Sequence, residues 1–180
     1  MDVYYRSPRQ PFVVLDESAI TLATTQKALW PYARSILPTN FWTVGKTVKL
    51  TAWGKVTTDG TAGNYVAGIG YGSADAPTAL GASASVAGTV SQTAITWRFE
   101  AYVTCRTIGA TGTLIAFGTW IPAVAVLAST LQPLHVPANT AVATTVDTTV
   151  GTNSLVLTLQ RSGAGVWTAT TQGLHVEEVT

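Results

Sequence analysis

The chain has 180 residues, a formal net charge of +1, and only 11% Asp, Glu, Lys and Arg. That is one domain's length, enough to bury a core without staples, and near-neutrality excludes the long-range field that draws a protein to nucleic acid or anionic lipid. Cys105 is the only cysteine, which excludes an intrachain disulfide and a cysteine-based zinc site.

Residues 1–18 hold Tyr4, Tyr5, Arg6, Pro8, Arg9, Pro11 and Phe12, followed by Asp16 and Glu17. The prolines break regular structure, and Tyr, Arg and Phe are enriched at interfaces. We read an extended N-terminal arm that orders against a partner. No apolar core of a signal peptide is visible at the N-terminus, which leads us to expect synthesis in the cytoplasm.

From Ala19 onward the pattern predicts strands. Ile20–Thr25 reads as a first short strand. Ala28–Ser35 is ambiguous, because Trp30-Pro31 argues for an edge or a bend. In Lys46–Thr57 the residues Val48, Leu50, Ala52, Gly54 and Val56 share one face, while Lys49, Thr51, Trp53 and Lys55 share the other. Thr58-Asp59-Gly60 is a turn, and Tyr65–Tyr71 is the next strand. Residues 73–88, rich in Ala, Ser and Gly, predict a loop with a weak strand.

Ala94–Thr107 alternates most cleanly. Trp97, Phe99, Ala101, Val103 and Cys105 oppose Arg98, Glu100, Tyr102, Thr104 and Arg106, a split that no helix would give. After a turn at residues 108–112, Thr113–Val126 reads as the returning arm of a hairpin. His135 falls in an extended loop between Pro133 and Pro137. Ala141–Thr145, Ser154–Gln160 and Val166–Val176 complete eight or nine strands, with Ser162-Gly163-Ala164-Gly165 read as a tight hairpin turn.

No convincing amphipathic helix is present, and Pro31 interrupts the nearest approach, Gln26–Ile36. The fold class that follows is all-β: an antiparallel β-sandwich, jelly-roll-like, over residues 19–180, with the arm outside it. An immunoglobulin-type sandwich is the other closure considered, but the Cys…Trp…Cys spacing is missing. The most apolar run, Leu114 to Ala128, is shorter than the ~20 residues of a membrane helix and contains Gly118, Thr119 and Pro122, so no membrane span is expected.

The residues from Thr107 to Val146 include no Asp, Glu, Lys or Arg. A typical domain carries about a quarter charged residues. This exterior must therefore be covered by Thr and Ser hydroxyls, small residues or other copies of the chain, which points to a rigid protein that assembles.

Chemistry is sparse. His135 and His175 are the only histidines, and no ligand set for a metal is visible. No G-x-S-x-G elbow marks a serine nucleophile. The acids do not suggest a glycosidase pair, which needs two carboxyl groups about 5–10 Å apart in a cleft. Glu100 alternates with Arg98 and Tyr102, and cross-strand ion pairing accounts for it. Gly68, Gly70 and Gly72 lack the spacing, helix and lysine of a phosphate loop, and read instead as close packing or a bulge. We expect no catalytic residue and no cofactor. Trp53 and Tyr102, on the polar faces of their strands, are candidate interface aromatics, with sugar stacking as the other use of such rings.

The phrases Ile20-Thr-Leu-Ala-Thr-Thr-Gln-Lys-Ala-Leu-Trp30-Pro and Asn40-Phe-Trp-Thr-Val-Gly-Lys-Thr-Val-Lys-Leu50-Thr-Ala-Trp-Gly-Lys-Val-Thr-Thr58, then Ile95-Thr-Trp-Arg-Phe, Cys105-Arg-Thr-Ile-Gly-Ala-Thr-Gly-Thr-Leu114 and Leu157-Thr-Leu-Gln-Arg-Ser-Gly163, resemble small β-rich structural proteins of tailed bacteriophages. The resemblance covers roughly Ile20 to Val179 and leaves out the first eighteen residues. It implies a virion structural component with a jelly-roll-like body, trimeric, made in a bacterial host.

The expected function is head decoration: a homotrimer on the capsid surface that cements the major capsid protein, with Tyr4, Tyr5, Arg6, Arg9 and Phe12 lying along capsid subunits. The alternative is a tail or baseplate appendage that binds host-surface glycan. Few Lys and Arg also mean few tryptic sites, as suits a particle outside the cell.

Overall fold

Alternation becomes burial in the central strands. In a computed structural model that describes residues 19–29, 37–73, 76–123 and 133–179, Val48, Leu50, Ala52 and Val56 point inward with at most 1% of their surface exposed. Their neighbours Lys49, Thr51, Trp53 and Lys55 point outward. The same holds for Trp97, Phe99, Ala101, Val103 and Cys105 against Arg98, Glu100, Tyr102, Thr104 and Arg106. The cause is the two-residue period of a pleated strand with one buried face.

Eleven strands and no helix occur among the described residues: β1 (Ile20–Thr21), β2 (Thr47–Thr57), β3 (Asn64–Gly72), β4 (Pro77–Ala82), β5 (Val86–Ala87), β6 (Ile95–Thr107), β7 (Gly112–Pro122), β8 (Leu134–Val136), β9 (Thr144–Val146), β10 (Ser154–Ser162) and β11 (Thr168–Val179). They form two antiparallel sheets, a jelly-roll-like β-sandwich. The seven-stranded sheet runs β1-β11-β2-β6-β7-β8, with β9 also on β7, and the four-stranded sheet runs β10-β3-β4, with β5 also on β3. Between them lies a core of Leu50, Ile69, Phe99, Leu114, Leu155, Leu157 and Leu159. At one end of it Tyr65 packs against Trp167 and Trp120, with ring centroids 4.5 Å and 5.3 Å away.

The predicted hairpin of β6 and β7 forms in register from Trp97↔Pro122 to Cys105↔Leu114. Gly68 and Gly70 of β3 serve packing, as their residue types suggested, whereas Gly72 has open space around it and a φ of +113°. A Cβ on Gly68 would come within 2.5 Å of Thr158 Oγ1, one on Gly70 within 2.7 Å of Pro77, and the register with β4 shifts between Ile69 and Gly70.

Other expectations are corrected. Ser162–Gly165 is not a hairpin turn. β10 pairs with β3, whereas β11 pairs with β1 and β2, so the turn carries the chain from one sheet to the other. The physical reason is Trp167, fully buried between the sheets just before β11. Residues 73–88 hold two strands, β4 and β5, rather than a loop with one. His135 lies on a strand, because β8 pairs with β7 from Gly118↔Val136 to Trp120↔Leu134. The first strand is only Ile20–Thr21, and Ala28 makes a single bridge to Thr158. The arm of residues 1–18, with Tyr4, Tyr5, Arg6, Arg9 and Phe12, lies outside the described residues, as do residues 30–36 and 124–132.

Both sides of the sandwich are closed by main-chain hydrogen bonds. On one side residues 22–29 strap the free edge of β10 to β11. Leu22 N–H donates to Trp167 O (2.8 Å), Arg161 N–H to Ala23 O (2.9 Å) and Leu29 N–H to Leu157 O (2.9 Å). The Thr171 hydroxyl donates to Leu29 O. On the other side Ala138 N–H, just past β8, donates to Ala82 O at the end of β4 (2.9 Å). Covered edges deny an incoming strand its template.

Candidate functional site: the outer face and loop end of the large sheet

Register assembles the outer face of β11, β2, β6, β7 and β8 row by row. One row reads Glu177, Lys49, Tyr102, Phe117; the next His175, Thr51, Glu100, Thr119, His135; the third Gly173, Trp53, Arg98, Ile121. Trp53 and Tyr102, singled out from the sequence, thus share one surface. They are not in one cluster. Trp53, 43% exposed, lies over Gly173, where a Cβ would be 2.1 Å from its ring. Tyr102 stacks on Phe117 across the hairpin, with centroids 5.0 Å apart and planes 13° from parallel.

The charges here satisfy one another. Arg98 Nη2 donates to Glu100 Oε2 at 3.0 Å, and the Tyr102 hydroxyl donates to Glu100 Oε1 at 3.1 Å. Lys49 Nζ sits 3.5 Å from Glu100 Oε2 and 3.8 Å from Glu177 Oε1. Partial burial works against the charge on Glu100, but the Tyr102 hydroxyl and the Lys49 ammonium outweigh it and hold the carboxyl below its ordinary range. Burial likewise opposes the charge on Lys49, but Tyr102 and Glu100 outweigh it and raise its pKa. A carboxyl held ionised is the reverse of what a general acid needs. Such surface pairs contribute only ~0–1 kcal/mol each; their effect is to leave these three rows without net charge. Thr hydroxyls fill the rows beyond, as in the Thr47–Thr104 pair at 2.8 Å.

The remaining reactive groups are dispersed. His175 and His135 lie at opposite ends of one row, four strand spacings or ~19 Å apart. Asp147 is occupied locally, accepting from the Thr149 hydroxyl (2.6 Å) and the Thr149 N–H (2.9 Å), which together lower its pKa. Cys105 is buried, its thiol donates to Thr107 O at 3.4 Å, and burial raises its pKa, so little thiolate forms. Among the described residues no group of three or more His, Cys, Asp or Glu side chains is placed to hold a metal ion, and no helix is long and apolar enough to cross a membrane.

Reading the sequence missed a second feature. The loops 38–46, 107–112 and 147–153 meet at one end of the sandwich. Gly45 N–H donates to Cys105 O (2.8 Å), Thr148 N–H donates to Gly109 O (3.1 Å), and Gly151 packs on Thr39. This end presents Val44 (66% exposed), Ile108 (58%) and Val150. Lys46 beside it is paired with Glu178 at 3.4 Å. Isolated aliphatic residues in loops give no periodic signal, so only the meeting of the loops reveals them. Phe117 and Ile121 were missed for a related reason: both faces of β7 carry apolar residues, and only register decides which face looks outward.

Compared with protein-family models, with curated proteins and with solved structures, the chain matches none.

Proposed function

We propose that this protein is a structural component of a tailed-phage particle, a head-decoration protein that seats on the assembled capsid as a homotrimer and reinforces it. The observation that carries this reading is the apolar loop end. Val44, Ile108 and Val150 project from three loops that are tied to one another and to a closed sandwich. Branched aliphatic residues held on rigid loops lose little entropy on docking, and burying each contributes roughly 1.5–3 kcal/mol. The central rows of the outer face, with their charges internally paired, let many copies sit side by side with little repulsion. The arm residues Tyr4, Tyr5, Arg6, Arg9 and Phe12 add a second contact with the major capsid protein.

The experiment is antibody labelling of purified particles in the electron microscope, with the double variant Val44→Asp/Ile108→Asp as control. Label over heads, lost in the variant while its circular dichroism is unchanged, is the expected result. Label over tails, or none on particles, overturns the reading.

The second reading is a tail or baseplate appendage that binds host glycan. It is favoured by Trp53, whose indole lies over a glycine with its outer side exposed, an arrangement suited to the apolar face of a sugar. Glycan-array binding lost on Trp53→Ala would support it.

A further inference from the structure

β7 is not paired along its whole outer edge. β9 covers Gly112 to Leu114 and β8 covers Gly118 to Trp120, while Ile115, Ala116 and Phe117 have no partner strand on that side among the described residues. The chain from Val136 to Ala141 frames this gap and leaves a hollow of about 300 Å³ on the outer surface. One wall is Phe117, 57% exposed. Tyr102 stacks against it from the β6 side, and its other side borders the hollow. Thr119, His135 and Asn139 also line it, and none of their side chains has a hydrogen-bond partner among the described residues.

We propose that this gap binds a neutral saccharide, with one pyranose ring stacked on Phe117 and its hydroxyls hydrogen-bonded by His135, Asn139 and Thr119. The proposal rests on the glycan reading above and moves its site from Trp53 to Phe117. Four features select the ligand class. Among the described residues no Asp, Glu, Lys or Arg lines the hollow, so nothing described there balances a phosphate, carboxylate or ammonium. An aromatic face beside planar donor–acceptor groups suits a ring whose flat side is C–H and whose rim is hydroxyl. The volume lies at the lower limit of small-molecule sites. The unpaired stretch of β7 spans three residues, too short a template for an added peptide strand.

The test is an amide NMR titration of the full chain with glucose, galactose, mannose and N-acetylglucosamine to about 20 mM, where a millimolar site fills. With at least one sugar, shifts are expected at Thr119, His135 and Asn139. Phe117→Ala should weaken binding at least about tenfold, Phe117→Trp should preserve it, and Trp53→Ala should leave it unchanged. Phe117 is exposed, so circular dichroism of its variants should match the parent. Shifts around Gly173 that vanish in Trp53→Ala would leave the glycan reading standing and overturn this site. An absence of shifts with every sugar overturns the site, and a blank glycan array besides removes the broader reading. A fall in sedimentation mass on Phe117→Ala, without any sugar response, would make the patch a subunit contact and sink the proposal.

Discussion

Asp59, in the turn after β2, stands beside the stretch where the chain passes from β10 into β11. Its carboxylate accepts from the Val166 N–H and, at 2.9 Å, from the Thr61 N–H, and the buried Arg161 adds attraction. These interactions hold its pKa below the ordinary carboxylate range. The sign follows from linkage. A depressed folded value stabilises at pH above the unfolded value, about 3.9, and that contribution is lost as pH falls through the lower folded value. Asp59→Asn should therefore lower the melting temperature at pH 7, and the gap from the parent should narrow below about pH 4. Thermal melts at the two pH values check this; a gap independent of pH would show that the carboxylate's charge is irrelevant to the corner. Arg161 gives the corner further interest. It is 6% exposed, and its Nε and Nη1 have no hydrogen-bond partner among the described residues. Its guanidinium lies 6.0 Å from the Trp167 ring.

Among the elements, the strap of residues 22–29 is not a regular strand, yet it joins the two sheets. Leu29 is 1% exposed, donates its N–H to Leu157 O, and accepts from the Thr171 hydroxyl. Leu29→Ala should cost about 2–5 kcal/mol, the range for deleting a buried leucine side chain. Urea denaturation measures it, and a cost below about 1 kcal/mol would mean that the strap lies on the core without belonging to it. The contact of β2 with its neighbours is equally close. A Cβ on Gly54 would lie 1.9 Å from Thr170 O and 2.8 Å from the Trp97 ring. Backbone cannot yield as a flexible side chain can, so Gly54→Ala should destabilise by about 1–3 kcal/mol or more and shift Trp97 fluorescence. A variant with parental stability and emission would contradict that packing.

For the whole molecule, the balance of charge makes a separate prediction. Net charge is +1, and the contact proposed for the capsid is aliphatic. Burial of apolar area is not screened by salt, whereas ion pairing at a surface is. Particles carrying this protein should therefore retain it in about 1 M salt, where the Debye length falls to roughly 3 Å. Release into the supernatant at high salt would transfer the contact from Val44, Ile108 and Val150 to charged groups, with Arg6 and Arg9 of the arm as the first to substitute. The strap bears on the same scale: along β10 a joining copy finds the edge already occupied, because residues 22–29 hold it by main-chain hydrogen bonds.

Period-two alternation in Lys46–Thr57 and Ala94–Thr107 was enough to identify strands and their buried faces, because successive Cβ atoms on a pleated chain must point opposite ways. Scarcity of ionised residues was likewise enough to expect an exterior of hydroxyls and small groups. Which sheet each strand joins was decided only in three dimensions, and so β10 and β11, adjacent in the chain, lie in different sheets. Register turned Phe117 outward beside Tyr102 and placed His135 on a strand. Loop meetings brought Val44, Ile108 and Val150 to one end. All of these depend on hydrogen-bonded partners far away along the chain, and a local period of two carries no information about which distant strand will supply them.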